Sequence, residues 1–409
     1  MSTTFKYSVR DTGGKLVTGA LEADNEAAVA RKLLQMGYAP VSITSDSKTG
    51  LKKDVTIPGF APRVKLKDLA IFSRQFATMI NSGLSLLRAL SILTEQTENK
   101  ELARVLREVR NDVETGSALS VSMSKHDDAF PPLMINMIKA GEIGGFLDAV
   151  LLQLAENFEA EVKLRGKVKS AMTYPVIVFV MAIVLCAVML IFIVPVFAGM
   201  FDSLGSTLPM PTQILVWLSG VMKFGAPLLL VGTIVFFVVW RKIKNDDRVR
   251  NVVDPMKLKI PIFGSLFQKI ALSRFSRNLG TMMKSGVPIL QSLDIVADTT
   301  GSIVIANAVR DVQESVRGGE SLAAPLLEHK VFPPMVVQMM AVGEETGALD
   351  TMLGKISDFY DQEVEATTEQ LTALIEPLMI GFLGVVVGGM IVALYLPIFK
   401  IMDVIGGQA

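Results

Sequence analysis

Six charged residues recur in matched places along the chain and are its first candidates for chemistry. Arg74 and Arg277 each stand in an otherwise apolar helical stretch. There the rigid fork of guanidinium donors can hold a carboxylate, either on a partner or inside the residue's own bundle. Glu142 with Asp148, and Glu344 with Asp350, repeat at a single spacing beside glycine-rich turns. Carboxylates so placed can ligate a divalent cation or cap a helix, and capping is the commoner use at such turns. All six are taken as candidate partner-binding residues, and no metal site is assigned. Other chemistries lack their parts. Cys186 is the sole cysteine and lies in an apolar run, and His126 and His329 are the sole histidines, too few soft ligands for zinc and no partner for a disulfide. No phosphate-cradling G-x-x-x-x-G-K-[ST] loop, C-x-x-C pair or G-x-S-x-G elbow occurs, so the chain is read as a non-enzyme without a cofactor.

The elements that must position these residues lie partly in a membrane. Of 409 residues, 50% are hydrophobic and 20% charged, and the mean hydropathy of +0.46 is too apolar for a soluble protein of this length. Forty basic side chains balance forty acidic ones, so no basic field draws in nucleic acid, which is excluded as a partner. Val176 to Val194 contains no polar or charged side chain and is long enough to cross a ~30 Å hydrocarbon core. Phe224 to Trp240 is uncharged, with Lys223 just before it, and Leu378 to Phe399 is uncharged and holds Gly381, Gly384, Gly388 and Gly389. Gly384 and Gly388 form a GxxxG pair, a candidate face for helix packing in the membrane.

Lys163, Arg165, Lys167 and Lys169 precede the first apolar stretch, and Arg241, Lys242 and Lys244 follow the second. By the positive-inside rule both flanks are cytoplasmic. The first 60 residues contain no signal-peptide pattern, so the N-terminus is expected in the cytoplasm. Three spans then put the C-terminal end outside, although Lys400 lies on that side.

Residues 5 to 45 read as a small α/β module: FKYSV and KLVTGALEA as strands, NEAAVARKLLQMG as a helix, and YAPVSIT as a third strand. A polar segment with Pro58, Gly59 and Pro62 follows as a linker. From Leu66 to Lys169 apolar residues recur at three- and four-residue spacing, broken at Gly83, Gly116 and Pro131-Pro132, which predicts about six short helices.

This scheme occurs twice. FSRQFATMINSGLSLL at 72–87 aligns on FSRNLGTMMKSGVPIL at 275–290 with eight identities in sixteen positions, where chance gives about one. One residue is lost later in the register. Phe130-Pro131-Pro132 then matches Phe332-Pro333-Pro334, GEIGGFLDAVL at 141–151 matches GEETGALDTML at 343–353, and Pro175 and Pro195 fall on Pro377 and Pro397. Both copies approach the membrane from the same side, a parallel repeat. No span carries an ionisable residue near its centre, which demotes a transporter or channel to the alternative reading.

The doubled F-S-R-x-x-x-T-M-x-x-S-G, F-P-P and G-E-x-x-G-x-L-D segments, each followed by an apolar span ending in a proline, resemble the type II secretion F family. These are the inner-membrane platform proteins of type IV pilus and type II secretion machines, and the resemblance covers nearly the whole chain. It implies a mainly α, polytopic protein of the bacterial inner membrane with two duplicated cytoplasmic bundles, three transmembrane helices and a small N-terminal α/β module. The expected layout is module 1–47, linker 48–65, first bundle 66–171, transmembrane helix 172–198 and periplasmic loop 199–213. A second transmembrane helix at 214–240, second bundle at 241–374, third transmembrane helix at 375–399 and short outer tail at 400–409 complete it. The implied function is a non-catalytic scaffold. It would couple a cytoplasmic hexameric assembly ATPase to insertion of pilin or pseudopilin subunits, alongside other inner-membrane assembly proteins, as a homo-oligomer.

Overall fold

A computed structural model of the chain describes residues 3–10, 16–23, 26–35, 39–45, 63–203, 209–243, 246–261 and 263–406. Most of the expected linker, part of the expected periplasmic loop and the last residues of the expected tail lie outside them. The chain forms two compact units, Met1–Ala61 and Pro62–Ala409.

In the first unit β1 (Thr3–Arg10) and β2 (Leu16–Ala23) pair antiparallel from Thr3 opposite Ala23 to Arg10 opposite Leu16. Helix α1 (Glu26–Gln35) follows, then β3 (Ala39–Ser45), which adds antiparallel to the other edge of β1 to give the order β2-β1-β3. Pro40, which has no N–H to donate, falls on the edge strand opposite Val9 where the register shifts. Val29 and Leu33, one helical turn apart, form the buried stripe of α1.

The second unit is helical. Helices α2 (Leu66–Asn81), α3 (Leu86–Gln96), α4 (Lys100–Glu114), α5 (Leu119–Ser124) and α6 (Pro132–Gly144) lead into α7 (Leu147–Val188). A π-helical turn at Met189–Ile193 continues α7 into α8 (Val194–Ser203), and α9 (Met210–Ile243) contains the second apolar stretch. Then come α10 (Asp247–Lys259), α11 (Phe263–Lys284), α12 (Ile289–Thr299) and α13 (Ile303–Arg317). Short α14 (Ala323–Leu326), α15 (Pro334–Thr346) and the long α16 (Leu349–Gly406) close the chain.

The aromatic residues of the repeated motifs lock each bundle. Phe72 lies 5.4 Å from Phe76 and 6.2 Å from Phe130 between ring centroids, and in the second copy Phe275 meets Phe332 at 5.1 Å. These rings are buried, and each contributes about 1.5–3 kcal/mol by leaving water. The buried side chains of both copies join in one continuous core, so the two bundles are a single body.

Two helices among the described residues are long and apolar enough to cross a membrane, Leu147–Met200 and Leu349–Leu396. They meet along a seam of Leu190, Val194, Met390 and Leu394, against which Leu215, Val216 and Met222 of α9 pack. Phe179, Met181, Phe192, Phe236, Phe382 and Val385 point away from the seam and are exposed. An apolar surface of that extent belongs in lipid.

Candidate functional site

The F-S-R-x-x-x-T-M-x-x-S-G segment occurs twice, and its Phe, Thr, Ser and Gly positions have the same task in both copies. Phe72 and Phe275 enter the core. The Thr78 and Thr281 hydroxyls donate to the carbonyls of Arg74 and Arg277 at 2.8 and 2.7 Å. Ser82 and Ser285 bond the carbonyls of Thr78 and Thr281 in turn. Gly83 and Gly286, at φ of 83° and 70°, then end the helices in the left-handed region that glycine adopts without strain.

Each arginine meets a carboxylate of its own repeat. Arg74 Nε and Nη2 donate to Glu159 Oε1 and Oε2 at 2.7 and 2.6 Å, a bidentate pair between α2 and α7 with both side chains about half exposed. The hydrogen bond to Glu159 raises the Arg74 pKa, and the same bond holds the Glu159 carboxyl below its usual range. Asp361 occupies the place of Glu159 in the second copy, and Arg277 Nη2 donates to its Oδ2. Ser273 donates to Asp361 Oδ1 at 2.6 Å. Here the arginine side chain is only 9% exposed.

The difference in burial has a visible source. Glu161 on α7, itself buried, reaches across to the second repeat: Arg274 Nη2 lies 2.6 Å from Oε1 and Arg277 Nη1 3.7 Å from Oε2, with Arg165 Nε at 2.7 Å on its own helix. Burial pushes the Glu161 pKa up, but Arg274 and Arg165 outweigh it and the carboxyl is held below the usual Glu range. Asn157 Nδ2 adds neutral bonds across the same boundary, 3.2 Å to Asn278 Oδ1 and 3.2 Å to Thr281 Oγ1. Of this inter-repeat latch, only Arg277 is among the sequence candidates. The latch's signal is divergence between the copies: Arg274 falls opposite Ile71, and Asn157 opposite Phe359.

The G-E-x-x-G-x-L-D segment builds a corner between α6 and α7, and again between α15 and α16. A Cβ on Gly141 would lie 3.1 Å from Leu147 Cα, and one on Gly343 3.0 Å from Leu349 Cα, so a side chain at either corner would need its neighbours to give by a few tenths of an ångström. Glu142 accepts from the backbone N–H groups of Leu119 and Ser120 at 2.5 and 3.0 Å and from the Ser120 hydroxyl at 2.5 Å. Glu344 accepts from the N–H groups of Leu322 and Ala323 at 2.7 and 3.3 Å. Each glutamate therefore satisfies the start of a short helix, α5 or α14, from a distant part of the fold. Asp148 and Asp350 lie in the first turns of α7 and α16, where a carboxylate complements the helix dipole. Among the described residues no hydrogen bond or ion pair joins any of the six charged candidates to another. Glu142→Ala is expected to cost about 1–2 kcal/mol and Asp148→Ala a few tenths. Melting of the two variants, with amide exchange read at α5, checks the order.

Gly384 and Gly388 have no heavy atom within 4 Å of where a Cβ would stand. The contacts of α16 in this region come from Val386, Val387, Met390 and Leu394, so the GxxxG pair lies off the packed seam.

A profile described as type II secretion system (T2SS), protein F matches residues 72–195 and again 275–397. One described as type II secretion system protein F, N-terminal domain matches residues 1–44. The two long matches open on Phe72 and Phe275 and close on Pro195 and Pro397, the limits of the internal repeat. Among curated relatives, the chain is 45% identical to the type IV pilus assembly protein PilC of Thermus thermophilus over 99% of both chains. It is 44% identical to PilC of Myxococcus xanthus over 98% of this chain and 95% of that one. Identity to type II secretion system protein F of Xanthomonas campestris is 32%, over 98% of this chain and 99% of that one. Matched along its length and in both copies of its repeat, the chain belongs to the type II secretion system protein F family.

Proposed function

We propose that the chain is the non-catalytic inner-membrane platform on which a type IV pilus is assembled. The observation that carries this is the end-to-end match to proteins named for pilus assembly, at higher identity than to those named for type II secretion. In this reading three helices cross the bacterial inner membrane, with α9 as the second of them, between the apolar stretches of α7 and α16. The N-terminal α/β module and both bundles face the cytoplasm, and the C-terminal end lies outside. A cytoplasmic hexameric ATPase acts on the bundles, and pilin subunits are drawn from the bilayer past the apolar helices of a homo-oligomer.

The architecture suits mechanical transmission. Helices α7 and α16 run from bundle into apolar stretch without a loop, over ~63 Å and ~87 Å of helix, and their cytoplasmic halves are fixed in one shared core. A push on the bundles thus reaches the membrane through helix and not through linker. The half-exposed Arg74–Glu159 pair is the place where a partner's charges can compete, and Gly384 with Gly388 offer a close-packing face to a pilin helix. Deleting the chain is expected to remove surface pili while pilin accumulates in the inner membrane and exoprotein secretion continues. Normal pili with lost secretion would make the client a pseudopilin, and solute flux through purified protein in liposomes would favour a channel.

A further inference from the structure

We propose that the groove beside the cytoplasmic end of the first apolar stretch holds the headgroup and upper acyl chain of one anionic phospholipid. The groove, of about 510 Å³, lies between α7 and α11, a size that binds ligands. Its wall is apolar along Val168, Met172, Val176 and Ile270, and Arg165, Lys169 and Arg274 stand around it. From Arg165 to Ile177 helix α7 rises ~18 Å; its last charged side chain is Lys169, and the apolar stretch begins at Val176. The groove therefore covers the depth over which a membrane passes from phosphate to hydrocarbon. This placement rests on the membrane reading of α7.

Charge selects the occupant. Glu161 is engaged by Arg165 and Arg274 at 2.7 and 2.6 Å, so three cations and one carboxylate leave two positive charges at the groove. Lys169 has no hydrogen bond or ion pair for its ammonium group among the described residues. An unspent ammonium above an apolar wall fits a phosphodiester carrying acyl chains, and a net negative headgroup over a zwitterionic one.

The test is native mass spectrometry of the purified full chain, delipidated and then offered phosphatidylglycerol or phosphatidylcholine of identical chains. One phosphatidylglycerol is expected to be retained with about tenfold preference, and Lys169→Glu is expected to lower its retention about tenfold. Met172→Trp, which fills the apolar wall, should reduce retention of both lipids, and Lys163→Glu, outside the groove, should change nothing. Equal retention of the two lipids, wild-type behaviour of both Lys169→Glu and Met172→Trp, or competition by free glycerol phosphate as strong as by the lipid would overturn the site. Alkaline extraction separates the premises: a chain that stays in the membrane but shows no headgroup preference loses only the lipid site, whereas a chain that is extracted loses the membrane reading as well.

Discussion

Arg277→Glu is expected to destabilise the two-bundle body by about 3–5 kcal/mol, whereas Arg74→Glu should cost less than about 1 kcal/mol. The two arginines hold the same motif position, so residue type does not separate them. Surroundings do. Arg74 and Glu159 are 39% and 45% exposed, and water solvates either charge when its partner is removed. Arg277 is 9% exposed and faces both Asp361 and Glu161, so the reversal sets three carboxylates together with little solvent. Purified variants melted at one scan rate should differ by about 10 °C. Similar melting temperatures for the two reversals would refute the burial argument. Arg74→Glu, which leaves the fold intact, is also the clean variant for testing partner contact, because a loss of filaments there cannot be blamed on unfolding.

Removing Glu161 is the second large effect. Glu161→Ala leaves Arg274 and Arg277 facing each other across the boundary without their shared carboxylate and should cost about 3–5 kcal/mol. Amide exchange should rise where α7 meets α11. The pH dependence follows from the direction of its shift. Because the folded-state value of Glu161 lies below the ordinary 4.5, its contribution is fully present above that value and is lost as pH falls through the folded one. Acidification below pH 4.5 should therefore loosen the α7–α11 contact in the wild type, and Glu161→Gln should remove that component. An unchanged acid profile in Glu161→Gln would show that other carboxylates control it.

What could be read in the chain beforehand was whatever the backbone settles locally. The helices of both bundles follow from three- and four-residue apolar spacing, from Pro132 and Pro334 at helix starts, and from glycines at helix ends. The duplication follows from the Phe, Gly and Pro punctuation shared by the copies. What escaped was pairing at a distance. Arg74 meets a carboxylate 85 residues away, and nothing in either segment names the other until the helices pack. Glu142 likewise serves a helix start 23 residues upstream. Helix α10 was hidden for another reason: it lies outside the repeat, and its buried Asp254 caps the start of α13 through the Ile303 N–H at 3.2 Å. The continuation of helix past Pro195 to Ser203 was masked by the proline, a residue that apolar helices tolerate better than soluble ones.

The platform role is tested most directly by photocrosslinking in living cells. Probes belong at Val121 and Ile143, exposed on the first bundle at 54% and 79%, and at Gly384 on α16, with captured proteins identified by mass spectrometry. The account predicts a hexameric assembly ATPase from the bundle positions and a pilin from Gly384. Capture of lipid and copies of the chain alone, from all three positions, would contradict it.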